Sequence, residues 1–381
     1  MYQITKIRSY IRKNKDSSFL ALVRSAWHAM GLIAVIKKMD QRGIRIKGLV
    51  LIEESEAGIL VSDTLFQNLG EIEVYRVPLN SICVPYSIKD IQKIAHPLRT
   101  TLLQESFFVI FPFRPHYDMM KIASDMTEKQ ICAIIIDEGL GTYMRNDFEW
   151  YHGEVGGAID PKKIYQNFFS KYCKERLALF ILRRKGLVKN FNLFLIDAKG
   201  SLYRNPQIAK YYPQVIREYF REKDRVSICQ KYENAVMIVL QKYHVENKIR
   251  NDEDLHILRK ICKYLTEKGE HVIVKPHPRE LEHGRYMELG CEIDPDSGIP
   301  AETIFETLSI KPKCIIGITS TVLVTGPFFW NIPAISMLNL FDPKQIETEL
   351  RSEFRTFNKR FSAYVYAPKT IEEFKEVYKG I

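Results

Sequence analysis

Long apolar runs are missing from this 381-residue sequence. None approaches the roughly 20 residues that a membrane-spanning helix needs, so no transmembrane helix is expected. Cysteine is sparse: seven residues, an odd count, with no CxxC spacing. That argues against a disulfide framework and against a Cys-rich zinc site, and it fits a reducing cytoplasm. Cys132, Cys262 and Cys314 lie in apolar or amphipathic segments and read as core residues. The GxxxxGK[ST] phosphate loop, the GxSxG elbow and the HExxH helix are all lacking. Their absence removes a P-loop nucleotidase, a serine hydrolase of the α/β class and a zinc protease from consideration. No Cys/His set has metal-ligand spacing. The acids of Asp252/Asp254 (NDED) and Asp294/Asp296 (DPDS) read as helix-start or turn chemistry, so no metal is expected. There is no internal repeat and no low-complexity tract. The basic N-terminal stretch is followed only by a short apolar segment, Ala26–Ile36, with no small-residue cleavage site. A secretory signal is therefore not expected.

Acidic residues are in deficit, 46 against 56 Lys and Arg, for a net charge of +10. Such an excess suits an anionic substrate, an anionic membrane face or nucleic acid, or is simply a solvated basic surface. The remaining composition, 46% hydrophobic and 27% charged, is that of a globular chain with length for two cores.

What is present is an alternation of apolar runs and amphipathic stretches. Phe19–Val23, Ile46–Glu53, Glu71–Val77, Ser106–Phe111 and Ile131–Ile136 read as strands, with a helix over Ala26–Met39. Asn192–Asp197 (NLFLID) is read as the last element of this half. A second alternation runs through strands at Asn234–Gln241, His271–Val274, Cys314–Ile318 and Ile332–Met337, with helices at Asp252–Lys268 and Ala301–Leu308. Leu255, Leu258, Ile261, Cys262 and Leu265 share one face of the first of these helices, and Gly269 stops it. The polar, aromatic stretch Lys199–Glu233 separates the halves. The pattern predicts an α/β chain of two doubly wound, Rossmann-like domains facing a cleft, residues 1–205 and 206–381.

Three apolar runs end in polar knots. Asp137-Glu138-Gly139 follows Ile134–Ile136; adjacent acids there supply a base, or one acid caps a helix and the other is solvated. His277 sits in KPHP, where Pro276 and Pro278 restrict the backbone and Lys275 and Arg279 add charge. It is either a structural turn residue or a group that binds a phosphate and donates a proton to it. Gly317–Thr321 (GITST) precedes a helix and is either an anion site or a plain cap. His28, after the first strand, reads as structural or acceptor-side.

Taken in order, these knots resemble the motifs of bacterial sialyltransferases that carry D/E-D/E-G, HP and Ser-Ser/Thr signatures, a group including lipooligosaccharide sialyltransferases and capsular polysialyltransferases. The motifs read here as Asp137-Glu138-Gly139, His277-Pro278 and Ser320-Thr321. The opening FLALVRSAWHAMGLIAVI resembles the first strand and helix of that family, and Ile299-Pro300-Ala301-Glu302 its donor-ribose motif. The resemblance implies a GT-B arrangement, CMP-sialic acid as donor, inversion, and no metal or other cofactor. It implies an acceptor-side first domain and a CMP-sugar-binding second domain. Asp137/Glu138 would supply the base, with Glu138 preferred for its reach. His277 would stabilise the departing CMP, Ser320 and Thr321 would hold its phosphate, and Lys275, Pro278, Glu302 and Gly317 would complete the donor site. Asp252 and Asp254 are the reserve candidates for the base. The acceptor is expected to be a galactose- or sialic acid-terminated surface glycan of capsule or lipooligosaccharide synthesis. The location expected is cytoplasmic, with peripheral contact to an anionic membrane and no nucleic-acid partner. Two rivals remain at this stage: a related transferase using CMP-Kdo or a CDP-polyol, and a basic protein that merely binds anionic polymer.

Overall fold

The structure, a computed structural model, describes residues 2–54, 61–78, 81–96, 106–112, 116–137, 139–144, 173–196, 202–220, 229–241, 243, 246–277, 280, 283–294 and 299–381. Of the residues singled out above, Glu138, Pro278, Arg279 and Asp296 lie outside the described residues. The chain divides into two compact units. One comprises Met1–Leu193 with Asn205–Tyr212, the other Phe194–Arg204 with Pro213–Ile381.

Among the described residues the first unit holds six strands: β1 (Phe19–Val23), β2 (Lys47–Glu54), β3 (Glu71–Pro78), β4 (Ser106–Pro112), β5 (Gln130–Ile136) and β6 (Val188–Phe191). They form one sheet in the order β3-β2-β1-β4-β5-β6, with every pairing parallel. Every residue of β1, β4 and β5 is buried. That is why these segments read as unbroken apolar runs rather than alternating ones: helices cover both faces of such a sheet. Helix α1 (Tyr2–Lys13) packs on α4 (Tyr117–Met126), and α3 (Ile88–Ile94) packs on α4 and on the helix Lys174–Arg184. Helix α2 (Ala26–Asp40) starts at Ser25, whose hydroxyl accepts from the His28 N–H at 3.2 Å. Ten of its 15 residues are buried, and Tyr212 packs against it beside Trp27. A Cβ on Gly31 would stand 3.2 Å from the Tyr212 hydroxyl and 3.4 Å from Ile136 Cβ. The close passage of helix, sheet and Tyr212 thus depends on glycine there.

The last strand of this sheet is β6, not the Asn192–Asp197 segment. Two of the four residues of β6 are exposed, so it carries little apolar signal. The more apolar Phe194–Ile196 (β7) instead pairs antiparallel with Leu202–Arg204 (β8), and both belong to the second unit.

The second unit is built on β9 (Val236–Val239), β10 (Val272–Lys275), β11 (Glu292–Ile293), β12 (Cys314–Gly317) and β13 (Ala334–Ser336). The order is β11-β10-β9-β12-β13, again all parallel. The helix Glu253–Glu267 buries Leu255, Leu258, Ile261, Cys262 and Leu265, the face its periodicity predicts, and Gly269 follows it at φ +76°. Both sheets therefore start at a central strand, grow outward to one edge, then return to grow on the other side. Each has a topological switch point, β1/β4 in the first and β9/β12 in the second. There successive crossovers leave on opposite faces and open a crevice at the strand carboxyl ends.

Candidate active site

In the second unit the strand register aligns the candidates. Lys275 pairs with Val239, Val239 with Gly317 and Gly317 with Ser336, so the four form one row at the carboxyl edge of the sheet. His277, Gln241 and Thr319 each follow two residues beyond that row. Gly317 allows the row to close: a Cβ on it would stand 2.8 Å from Val239 Cγ2 and 3.0 Å from the Val239 carbonyl oxygen. At the switch point the Gln241 side chain accepts from the Thr319 N–H at 2.8 Å, and the Tyr243 and Thr319 hydroxyls hydrogen-bond. Burial and the charge of Glu353 hold the Tyr243 phenol well above its ordinary range, so it stays a neutral hydroxyl. Ser320 and Thr321 come next, half-exposed, at the amino end of the helix Val322–Trp330. Thr321 accepts from the Thr325 N–H at 3.0 Å through its carbonyl, which starts the helical ladder. The Leu323 and Val324 N–H groups already donate to the Ser320 and Thr321 carbonyls at 3.1 and 3.0 Å, so what this turn offers an oxyanion is the positive end of the helix dipole beside two hydroxyl side chains.

His277 is partly exposed, and its carbonyl accepts from the Glu280 N–H at 2.8 Å. Glu280 is itself buried and accepts from the Tyr286 hydroxyl at 2.7 Å. Lys275 is buried, its Nζ 3.0 Å from Asp294 Oδ2. Asp294, only 2% exposed, also binds Lys231 Nζ at 2.8 Å. Despite the burial, these two ammonium groups keep its carboxylate below the usual range. Asp294 thus anchors the strand beneath His277 and is more than the turn residue its DPDS context suggests. Glu302 is buried in the first turn of the helix Ala301–Thr307 and accepts from the Thr325 hydroxyl at 3.0 Å. Burial raises its pKa, which favours hydrogen bonding over free charge. Of the reserve acids, Asp254 is buried against Arg285 at 3.1 Å and Asp252 pairs with the same guanidinium at 2.7 Å.

In the first unit Asp137 follows β5 and is fully buried. Its Oδ1 accepts from the Gly139 N–H at 2.6 Å, and its Oδ2 from the Leu193 N–H at 3.0 Å and from the Tyr143 hydroxyl. The Trp27 indole N–H approaches the carboxyl without a well-aligned bond. Burial outweighs these donors and pushes the carboxyl up to about 6. Gly139 takes φ +79°, a conformation glycine adopts without strain.

Besides His28, the crevice at β1/β4 holds groups that local motifs did not reveal. Arg24, directly after β1, binds the buried Glu53 at the end of β2. His28 is buried, with Nδ1 facing the Arg24 N–H at 3.3 Å; burial and then the Arg24 charge drive its pKa down to about 3. The ring is therefore a neutral staple on the turn, with its proton on Nε2. Across the switch point Asp118 opens α4, 3.9 Å from His116. Burial raises its carboxyl to about 6, against the pull of the Met119 N–H and the Arg24 charge. The strand-end position of Arg24 and the first-turn position of Asp118 were the available signals.

Among the described residues, no group of three or more His, Cys, Asp or Glu converges in a way that could hold a metal ion. No described helix is long and apolar enough to cross a membrane.

Two doubly wound units with polar residues gathered at strand carboxyl ends define an α/β protein of the GT-B class. The UDP-GlcNAc 2-epimerase of Methanocaldococcus jannaschii shares this fold, with a TM-score of 0.50 and 11% identity over 96% of this chain and 92% of that one. The 2,6-sialyltransferase of Photobacterium sp. JT-ISH-224, solved with CMP and lactose, is similar at TM-score 0.42 and 13% identity, over 92% of this chain and 78% of that one. The sialyltransferase of Photobacterium damsela gives 0.42 and 12%, over 92% and 81%. Functionally curated proteins show no significant match. Residues 2–339 match the model of the alpha-2,8-polysialyltransferase family. The chain belongs to that family and is a glycosyltransferase.

Proposed function

We propose that this chain moves sialic acid from CMP-sialic acid to a hydroxyl of a galactose- or sialic acid-terminated glycan, with inversion and without a metal ion. The observation that carries this reading is the family match, which runs through both Rossmann-like units. The second unit takes the donor. Ser320 and Thr321, at the positive end of the following helix, hold the phosphate, and His277 donates to it as the glycosidic bond breaks. Glu302, with its carboxyl biased toward hydrogen bonding, takes the ribose hydroxyls. Lys275 acts from beneath: paired with Asp294, it fixes the strand end rather than reaching for the nucleotide.

The first unit takes the acceptor. Glu138 is the base, and Asp137 is the structural member of the pair, since its oxygens are engaged within its own fold. A base is needed only as the new bond forms, because the acceptor hydroxyl loses its proton to the carboxylate late in the attack. Neutralising the leaving phosphate lowers the barrier more, because its charge develops from the start of bond cleavage. The basic surface, +10 overall, would hold the enzyme against an anionic cytoplasmic leaflet by charge.

The test is incubation with CMP-sialic acid and a panel of glycan acceptors, in EDTA, with mass analysis of products. Growth of an acceptor by one or more sialic acid units supports the proposal. Use of CMP-Kdo or a CDP-polyol in place of CMP-sialic acid overturns the donor, and a strict requirement for Mg²⁺ or Mn²⁺ overturns the metal-free step.

A further inference from the structure

The first unit contains a cavity that the reading above does not use. It measures about 320 Å³ and lies beside the carboxyl-terminal half of α2, with walls formed by Val35, Phe108, Ile134 and Phe191. Lys38, Arg42 and Lys189 stand around it. Val35 lies ten residues beyond Ser25, about 15 Å along the helix at 1.5 Å per residue. The cavity is therefore displaced from the strand carboxyl ends where Asp137 and the switch point sit.

Its charge is one-sided. Lys38 is partly buried, and burial followed by the charges of Arg42, Lys210 and Lys189 depresses its pKa. Every charged neighbour acting on it is positive. Among the described residues, none of these four cations forms an ion pair. Several buried or half-buried cations elsewhere are matched by carboxylates: Lys275 and Lys231 by Asp294, Arg285 by Asp252 and Asp254. The Lys38 ammonium lies only over the Phe191 ring, at 5.5 Å from its centre. Like charges crowded beside an apolar surface repel and are partly stripped of water, and a bound anion relieves both effects.

We propose that this cavity binds an amphiphilic anion, with an apolar tail against Val35, Phe108, Ile134 and Phe191 and a phosphate or carboxylate headgroup held by Lys38, Arg42 and Lys189. Apolar walls with a few convergent polar groups are the make-up of ligand sites, and the volume lies at the lower end of their range. The headgroup alone would meet two exposed cations and the half-buried Lys38, and a tail alone would leave those cations uncompensated. The two parts together account for the composition of the site.

The probe is dodecyl phosphate below its micelle concentration, measured against the intact protein by titration calorimetry. Inorganic phosphate and a neutral dodecyl glycoside serve as the two half-ligands. Dodecyl phosphate should bind at least tenfold more tightly than either. Arg42→Glu and Lys189→Glu, both at exposed positions, should each weaken it at least tenfold while leaving the melting temperature near that of the parent. Val35→Phe, which fills the cavity, should weaken dodecyl phosphate but not inorganic phosphate. Should Val35→Phe fail to fold, the two charge variants and the half-ligands still decide. Equal affinity for inorganic and dodecyl phosphate overturns the apolar half of the site. Unchanged affinity in both charge variants overturns the site altogether. Neither result depends on transfer activity, so the outcome stands apart from the proposed donor and acceptor.

Discussion

Asp137 and Glu138 are adjacent in sequence, yet the first is engaged on both oxygens by its own domain. Its carboxyl, raised to about 6, stands above the ordinary aspartate value near 3.9. The protonated form is thus favoured by folding. The stability this contributes is fully present below about pH 4 and is lost as pH rises through 6, a span of about 3 kcal/mol. Asp118, raised in the same direction, adds a slope of the same sign. Asp137→Asn removes the titration but turns an amide NH₂ toward N–H donors, a loss of about 1–3 kcal/mol. The variant should therefore melt below the parent at pH 5, and the gap should narrow toward pH 8; a constant gap would show that Asp137 titrates normally. Glu138→Gln should reduce transfer by about 10²–10⁴-fold, typical of a lost general base, with CMP affinity unchanged by titration. If Glu138→Gln transfers normally and Asp137→Asn folds but is inert, the two roles are exchanged. The DEG triplet alone could not assign these roles. One partner that occupies Asp137 is the amide of Leu193, 56 residues further on, and nothing near the triplet announces it.

At the scale of elements, the strands with every residue buried were legible to within about two residues at either end, because two covered faces leave no polar alternation. The elements that escaped were those whose identity depends on a partner. β6 is half polar and is a strand only because β5 pairs with it. β7 is apolar but belongs to a hairpin of the other unit. The switch-point contact of Gln241 with Thr319 joins residues 78 positions apart. Gly317 offers a direct test of how tightly that edge is built. Gly317→Ala would force a Cβ to 2.8 Å from Val239 Cγ2 and 3.0 Å from its carbonyl oxygen. The carbonyl is backbone and cannot rotate away, so β9 and β12 must part locally. Overpacking of this kind costs about 1–3 kcal/mol. CMP affinity should fall together with the melting temperature, because Ser320 and Thr321 ride on the same turn. Normal CMP binding by Gly317→Ala would detach the phosphate site from this strand end.

For the molecule as a whole, the alternation of strand and helix pointed to two parallel sheets. It could not show that the chain exchanges segments near the middle. Phe194–Arg204 packs with the second unit and Asn205–Tyr212 with the first, so a single cut at any residue separates neither cleanly. The two sheets share one topology, and each has its own switch-point crevice. Fold alone therefore does not say which crevice takes the nucleotide. The chemistry of the edges does differ. The first presents Asp137, Asp118 and the Arg24–Glu53 pair; the second presents His277, two hydroxyls and the amino end of a nine-residue helix. Among the described residues, the second edge concentrates donors, and its carboxylate Asp294 is tied to two lysines. Hydrogen exchange with and without CMP should accordingly show protection at Val236–Gln241, at Lys275–His277 and at Gly317–Val324. The amides of Phe19–Val23 and Gln130–Ile136 should change little. Protection confined to the first unit would move the donor to the other crevice and would leave His277 without its assigned role. Comparable protection in both units would mean that CMP also orders the acceptor side, and Glu138→Gln would then be expected to weaken CMP binding as well as transfer.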